Sequence, residues 1–152
     1  MIGVGFRLDL IRLDTRLIID YVTSALKDFP GITGVYLFGS SLDVCRPDSD
    51  IDIGVFVSAG LNERQTACLE GAMALKLTPF EGHPFDLTLI NIDNTILAFR
   101  ILKEGLPVVI RDQEKFTDIM EKVSRDYSEK GFRYQQAISE ILKEVELNGY
   151  RS

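Results

Sequence analysis

The spacing of apolar residues along the chain predicts an alternation of helices and short strands. Between about residues 9 and 29 the apolar positions recur with a period near 3.6, which predicts an amphipathic helix ended by Pro30-Gly31. Runs rich in β-branched and aromatic residues predict buried strands, at residues 34–38, 51–57 and 85–90. The chain therefore begins as a helix followed by strands.

Helices are also predicted between and after these strands. Asn62 is a candidate N-cap for a helix to about residue 78, and Asp93 or Asn94 for a helix to Glu104. Pro107 places the short extended segment 106–110 at a sheet edge. These elements predict an α+β fold, a small mixed sheet backed by helices, in one domain over residues 1–152.

A helical C-terminal extension completes the prediction. The core spans about residues 9–112, and two helices separated near 128–131 are expected within about 113–148. An apolar stripe on the second helix is expected to pack in the core, although it could instead contact a partner or a second copy. The stripe consists of Tyr134, Ile138, Ile141 and Val145.

Charge narrows the classes of partner. The 17 basic and 23 acidic side chains give a net charge of −6. This negative charge argues against a general nucleic-acid binder and against a polybasic membrane contact. Residues 1–110 hold 9 basic and 14 acidic side chains, so most of the excess negative charge lies there. No apolar stretch approaches the ~20 residues of a membrane span and no signal peptide is evident, so a cytoplasmic protein is expected.

Cysteine and histidine give little support for a metal or nucleophile site. Cys45 and Cys68 are too few and too isolated for a disulfide framework or a zinc site, and are expected to be buried thiols. His83, the single histidine, lies in a predicted turn before the third strand and is expected to be an exposed loop residue.

Three acidic residues lie in strand-like surroundings. Asp50 and Asp52 are two positions apart, so their side chains project from the same face near the start of the second strand. Asp86 occupies a matching apolar frame in the third strand. Clustered carboxylates repel one another, and a divalent cation with oxygen ligands such as Mg²⁺ relieves this repulsion. If the two strands are neighbours, three acids can hold two Mg²⁺ ions for phosphoryl or nucleotidyl transfer.

A Gly-Ser pair follows the first strand. Gly39 permits close approach of the backbone, and the hydroxyl and backbone N–H groups at Ser40 can bind phosphate oxygens. A phosphate-binding turn next to a metal-binding acid cluster is the arrangement expected of a nucleoside triphosphate site.

The order of these residues resembles the DNA polymerase β-like nucleotidyltransferase superfamily. Gly39 and Ser40, a spacer, Asp50 and Asp52, and the later strand acid Asp86 match its signature one by one. The short chain and the segments 46–52, 85–90 and 98–112 resemble minimal nucleotidyltransferases (MNT), in particular the MntA-type antitoxins of HEPN–MNT toxin–antitoxin pairs.

This resemblance implies an activity and a site. An MntA-type protein transfers AMP from ATP to a tyrosine of a HEPN ribonuclease toxin. By the resemblance, Asp50, Asp52 and Asp86 would bind the metal ions, Asp86 would help to activate the attacking hydroxyl, and Gly39 and Ser40 would hold the triphosphate.

The loop after Gly-Ser departs from the family. Residues 41–45 carry Asp43 where a base is often found, and the loop is one residue short. Arg46 could supply the missing positive charge, or it could be an exposed loop residue. Arg100 and Lys103 could reach a phosphate, but a solvated helix face is the simpler expectation for both.

Two alternatives stay open. A related enzyme could modify a small molecule such as an aminoglycoside, although the chain has little length for a substrate domain. A non-catalytic module could neutralise a toxin by contact alone, although an intact acid triad would then serve no purpose.

Overall fold

A computed structural model describes residues 10–58 and 60–148 and shows the expected α+β architecture. Four strands form a small mixed sheet, and two very short strands pair beside it. The strands are β1 (Ile11–Arg12), β2 (Ile32–Phe38), β3 (Val44–Cys45), β4 (Ile51–Val57), β5 (Phe85–Leu89) and β6 (Leu106–Ile110). The α-helices are α1 (Thr15–Leu26), α2 (Glu63–Lys76), α3 (Thr95–Glu104) and α4 (Gln113–Asn148).

The sheet has the strand order β5-β4-β2-β6. Strand β2 is antiparallel to β4 and β6, whereas β4 and β5 are parallel. The third predicted strand thus lies beside the second, which meets the condition under which their acids could converge. Strand β6 occupies an edge, where Pro107 is tolerated because the outer side of the strand needs no backbone donor.

Each face of the sheet is covered by a pair of helices. Strand β2 shows the division, since Val35 and Leu37 belong to one apolar cluster and Tyr36 to the other, as the two-residue period of a strand requires. The first cluster includes residues from α1 and α2. The second joins the sheet to α3 and α4 and contains the buried rings of Tyr36, Phe56 and Phe116.

The first helix begins later than predicted. The apolar pattern placed its start near residue 9, but Ile11 and Arg12 form β1, which pairs antiparallel with β3. Helix α1 begins at Thr15 after Asp14, whose side chain accepts a hydrogen bond from the Arg16 N–H at 3.0 Å. A strong N-cap at Asp14 thus overrides the apolar periodicity before it.

The predicted cap of α2 is confirmed. Asn62 accepts a hydrogen bond from the Gln65 N–H at 2.8 Å, and Gln65 accepts one from the Asn62 N–H at 3.1 Å. This reciprocal capping box satisfies two backbone donors at the start of the helix.

The predicted break in the C-terminal segment is wrong, because α4 is one helix from Gln113 to Asn148. A glycine inside a helix costs only about 1 kcal/mol relative to alanine, so Gly131 does not end it. Ion pairs at i,i+4 spacing support the helix here: Lys122 with Asp126 at 3.0 Å lies before Gly131, and Glu129 with Arg133 at 2.7 Å spans it.

Other expectations are also corrected. Ile141 is 59% exposed, so the core prediction for the apolar stripe is wrong at this position. The side chains of Tyr134 and Val145 lie outside the described part of the structure. Cys45 is buried as expected, but Cys68 is exposed, and both are free thiols. No helix in the described part of the chain has the length and apolar character needed to cross a membrane.

Candidate active site

Three neighbouring strands bring Phe38, Asp52 and Asp86 into one row. Phe38 is the register partner of Asp52 across β2 and β4, and Asp52 is the partner of Asp86 across β4 and β5. Register partners in a sheet project from the same face, so the two carboxylates are cross-strand neighbours with the Phe38 ring on the other side of Asp52. The sheet therefore brings together two of the three predicted acids.

Asp50 lies one residue before β4, in an exposed position. The segment is held against the neighbouring strand because the Ile51 N–H donates to the Pro84 carbonyl oxygen at 2.8 Å. Asp50 thus joins the end of the sheet where Asp52 and Asp86 lie.

The electrostatics of Asp52 reflect this grouping. Burial raises the pKa of the half-buried Asp52, and the negative charges of Asp86 and Asp50 raise this pKa further. Ionisation of Asp52 is therefore less favourable than that of a free aspartate, and a nearby cation would relieve this cost.

Gly39 packs directly against Asp52. Its φ of +81° and ψ of −161° lie in a region that is essentially restricted to glycine. A side chain at this position would overlap Asp52 Oδ2. Gly39 is therefore required both for the turn that ends β2 and for the space beside the Asp52 carboxylate.

The turn after Gly39 is a short 3₁₀ helix, Ser40–Leu42. Ser40 is exposed at its start, where its hydroxyl is free to contact a ligand. The neighbouring Ser41 is buried, and its Oγ has no hydrogen-bond partner among the described residues. The predicted Gly-Ser turn is thus present at the same end of the sheet as the acids.

Arg46 and Asp43 are both engaged by other side chains. Arg46 Nε lies 3.3 Å from Asp48 Oδ1, with the Arg46 side chain 58% exposed. The acid in the altered loop, Asp43, lies 3.6 Å from the Arg12 guanidinium of β1. The geometry thus favours the exposed-loop interpretation of Arg46, and part of the negative charge of the loop is balanced locally.

His83 is buried, so the expectation of an exposed loop residue is wrong. Its Nδ1 lies 2.8 Å from the carbonyl oxygen of Ser49, the residue next to Asp50 in the chain. Because a carbonyl only accepts, Nδ1 carries the proton in this contact. His83 therefore anchors the residue before Asp50. The sequence signal that could have indicated this role is the position of His83 just before the strand that carries Asp86.

The donors fit a hard divalent cation in kind, but they do not form a closed ligand set. Carboxylate oxygens are the ligands that Mg²⁺ prefers, and Asp52 and Asp86 present them side by side. Across residues 10–58 and 60–148, however, no three His, Cys, Asp or Glu side chains are gathered closely enough to form a metal-binding group. Asp50 is exposed and lies outside the strand, so its position is less constrained by the sheet than those of the other two acids.

Comparison with known proteins agrees with this geometry. Residues 21–114 match the family described as polymerase beta, nucleotidyltransferase, a match that contains both the Gly-Ser turn and all three acids. No curated protein sequence matches the chain at a significant level.

Solved structures share the fold over most of the chain. A chain of the Shewanella oneidensis complex of a tri-AMPylated HEPN toxin with an MNT antitoxin superposes with a TM-score of 0.61 and 22% identity, covering 85% of this chain and 99% of that one. A toxin–antitoxin structure with AMP-PNP superposes with a TM-score of 0.59 and 21% identity, covering 82% of this chain and 98% of that one. A chain of the MntA-HepT toxin–antitoxin structure superposes with a TM-score of 0.58 and 21% identity, covering 84% of this chain and 98% of that one. The protein belongs to the polymerase β nucleotidyltransferase family, and its fold is that of chains from MNT antitoxin–HEPN toxin complexes.

Proposed function

We propose that this nucleotidyltransferase is an antitoxin that transfers AMP from ATP to a tyrosine of a HEPN toxin in a Mg²⁺-dependent reaction. The single observation that carries the proposal is the side-by-side register of Asp52 and Asp86, with Gly39 packed against Asp52. This is a compact site for a transferred adenylyl group and an attacking hydroxyl.

The proposed reaction is a displacement at the α-phosphorus of ATP. The phenol oxygen of the acceptor forms a bond to this phosphorus, the bond to the oxygen bridging the α- and β-phosphates breaks, and pyrophosphate leaves. Asp86, the more exposed of the two strand acids, receives the phenol proton. The backbone at Gly39 and the Ser40 hydroxyl bind phosphate oxygens.

Asp50, Asp52 and Asp86 would hold Mg²⁺. When bound, the cation neutralises charge on the phosphates and on the clustered carboxylates. The raised pKa of Asp52, caused by burial and then by its two acidic neighbours, supports this assignment together with the register.

The proposed acceptor rests on the solved complexes. Two of the similar structures pair an MNT or MntA antitoxin with a HEPN-type toxin, and in one the toxin is tri-AMPylated. An AMP-PNP complex supports ATP as the donor. The chain covers almost the full length of these similar chains, so the same arrangement of partners is feasible here.

The test mixes the purified protein with its HEPN partner, Mg²⁺ and ATP labelled at the α-phosphate. We expect the label to appear on a tyrosine of the partner. Asp86→Asn should slow the transfer about 10²–10⁴-fold, because it removes the base. Asp52→Asn should give a loss of similar size, and excess EDTA should abolish labelling.

Asp93→Asn is the matched control. Asp93 is an exposed acid just beyond the opposite end of β5, so its removal should leave the transfer rate unchanged. If an Asp52 and Asp86 double variant still neutralises the toxin as well as the parent, contact alone is the mechanism. If only aminoglycosides accept the label, the enzyme modifies small molecules instead.

A further inference from the structure

A cavity of about 520 Å³ opens beside the candidate active site. Gly39 and Phe38 form its wall on the sheet side, so it continues the row that Phe38 makes with Asp52 and Asp86. The cavity lies on the β2 side of Asp52, opposite to Asp86. An occupant here would be next to the Asp52 carboxylate and away from the proposed proton acceptor.

The outer wall of the cavity is one face of α3. It is formed by residues at helical spacing, Leu97, Arg100, Ile101 and Glu104. The C-terminal end of this helix is fixed close to β2, since a Cβ on Gly105 would lie 2.9 Å from the Leu37 carbonyl oxygen. The face of α3 therefore has a set position relative to the Gly-Ser turn.

Arg100 is the single positive charge among the residues lining this cavity. It is exposed, and among the described residues no carboxylate lies within ion-pair distance of its guanidinium. Arg46, the base nearest to the turn in sequence, is instead paired with Asp48 and does not line the cavity. A guanidinium that is free to bind and adjacent to Gly39 is well suited to phosphate oxygens.

We propose that Arg100 binds the β- and γ-phosphates of the nucleoside triphosphate, which makes the cavity the polyphosphate subsite. This inference rests on the proposed function for the identity of the donor. In an in-line displacement the acceptor and the leaving group lie on opposite sides of the α-phosphorus. With the acceptor on the Asp86 side, pyrophosphate departs on the Phe38 side, towards Arg100. The guanidinium also supplies the positive charge that the loop 41–45 lacks.

Binding without acceptor tests this assignment. The probes are α,β-methylene-ATP, which cannot be cleaved at the reacting bond, and AMP, each with Mg²⁺ and followed by calorimetry. Arg100→Gln should weaken binding of the ATP analogue about ten- to a hundredfold, the range for a lost charge-assisted hydrogen bond, and leave AMP binding unchanged. Arg100→Lys should recover part of the loss.

Two further variants serve as controls. Arg46→Gln removes the same charge from the loop and should leave binding of the ATP analogue within about twofold of the parent. Glu104→Gln removes the carboxylate of the cavity and should not weaken binding, because that charge repels phosphate.

The inference is overturned if Arg100→Gln binds the ATP analogue as tightly as the parent, or if it loses affinity for the analogue and for AMP by the same factor. The second result would place Arg100 at the part that the two probes share, the nucleoside and its α-phosphate, and not at the β- and γ-phosphates. Failure of the parent to label a HEPN partner would instead contradict the proposed function, and the binding measurements do not depend on that partner.

Discussion

Gly39 shows how closely one residue can link backbone geometry to the site. Its positive φ is needed for the turn after β2, and its missing side chain leaves room for the Asp52 carboxylate. These two requirements can be separated by experiment, because Gly82 has almost the same φ, +83°, but nothing lies within 4 Å of where its Cβ would be.

Gly39→Ala should therefore lose stability and activity, whereas Gly82→Ala should lose stability alone. Each alanine is forced into a left-handed conformation, at about 1–3 kcal/mol, which urea unfolding would measure. In Gly39→Ala the new methyl group also displaces Asp52, so transfer of AMP should fall at least about tenfold. Equal activity in the two alanine variants would contradict the role of Gly39 beside Asp52.

At the same scale, the acidic residues of the site could be predicted from the sequence, whereas the arginine that we propose binds phosphate could not. Asp52 and Asp86 each occupy a strand-like apolar frame, where an unpaired acid is unusual, and this local signal is sufficient. Arg46 is close to the Gly-Ser turn along the chain, but Arg100 is close to it in space. That proximity depends on how α3 packs against β2, which no local pattern reports.

Among the elements, α4 divides into two parts with different roles. Its first turns pack on the sheet through Phe116, which lies so close to Gly34 of β2 that a Cβ there would be 2.8 Å from the ring. Tyr127 stacks on Phe99 of α3 at a centroid distance of 3.8 Å. Beyond this point the large apolar residues Phe132, Ile141, Leu142 and Leu147 are each 59–70% exposed.

The two parts should therefore contribute very differently to stability. Phe116→Ala should lower the free energy of unfolding by about 3–5 kcal/mol, the range for loss of a buried aromatic ring. A chain ending after residue 131 should unfold within a few degrees of the parent, because the removed segment makes mainly exposed contacts. Thermal unfolding followed by circular dichroism measures both. Loss of cooperative unfolding in the shortened chain would show that the distal half supports the fold.

Sequence patterns located most elements but not their limits. The buried strands and the capped helix α2 have strong local signals, and all were predicted. The start of α1 was misplaced because β1 forms only by pairing with β3, which is more than thirty residues away. The break in α4 was wrong because Gly131 is a weak helix breaker within a helix whose first half is fixed by tertiary packing.

For the whole molecule, a net charge of −6 is partly the consequence of a site. Three of the acids of the first 110 residues lie at one end of the sheet, and the pKa of Asp52 is raised first by burial and then by Asp86 and Asp50. Such a site stores unfavourable energy in the protein alone. The charge of Asp52 should therefore lower the stability of the whole chain without Mg²⁺. Bound Mg²⁺ should raise it.

We expect Asp52→Asn to unfold at a higher temperature than the parent in EDTA. Among the described residues the Asp52 carboxylate accepts no hydrogen bond, so the substitution removes repulsion without breaking a contact. Since Asp52 is only half-buried, the gain should stay below about 1 kcal/mol, or roughly 3 °C for a chain of this size. With Mg²⁺ at millimolar concentration the order should reverse, because a bound cation stabilises the folded parent by an amount that grows with the ratio of Mg²⁺ concentration to its Kd, and the variant binds Mg²⁺ weakly. The Asp93→Asn substitution, beyond the end of β5 opposite to the acids, should leave this response to Mg²⁺ as it is in the parent. A parent whose unfolding temperature is the same in EDTA and in Mg²⁺ would contradict a cation site at these acids.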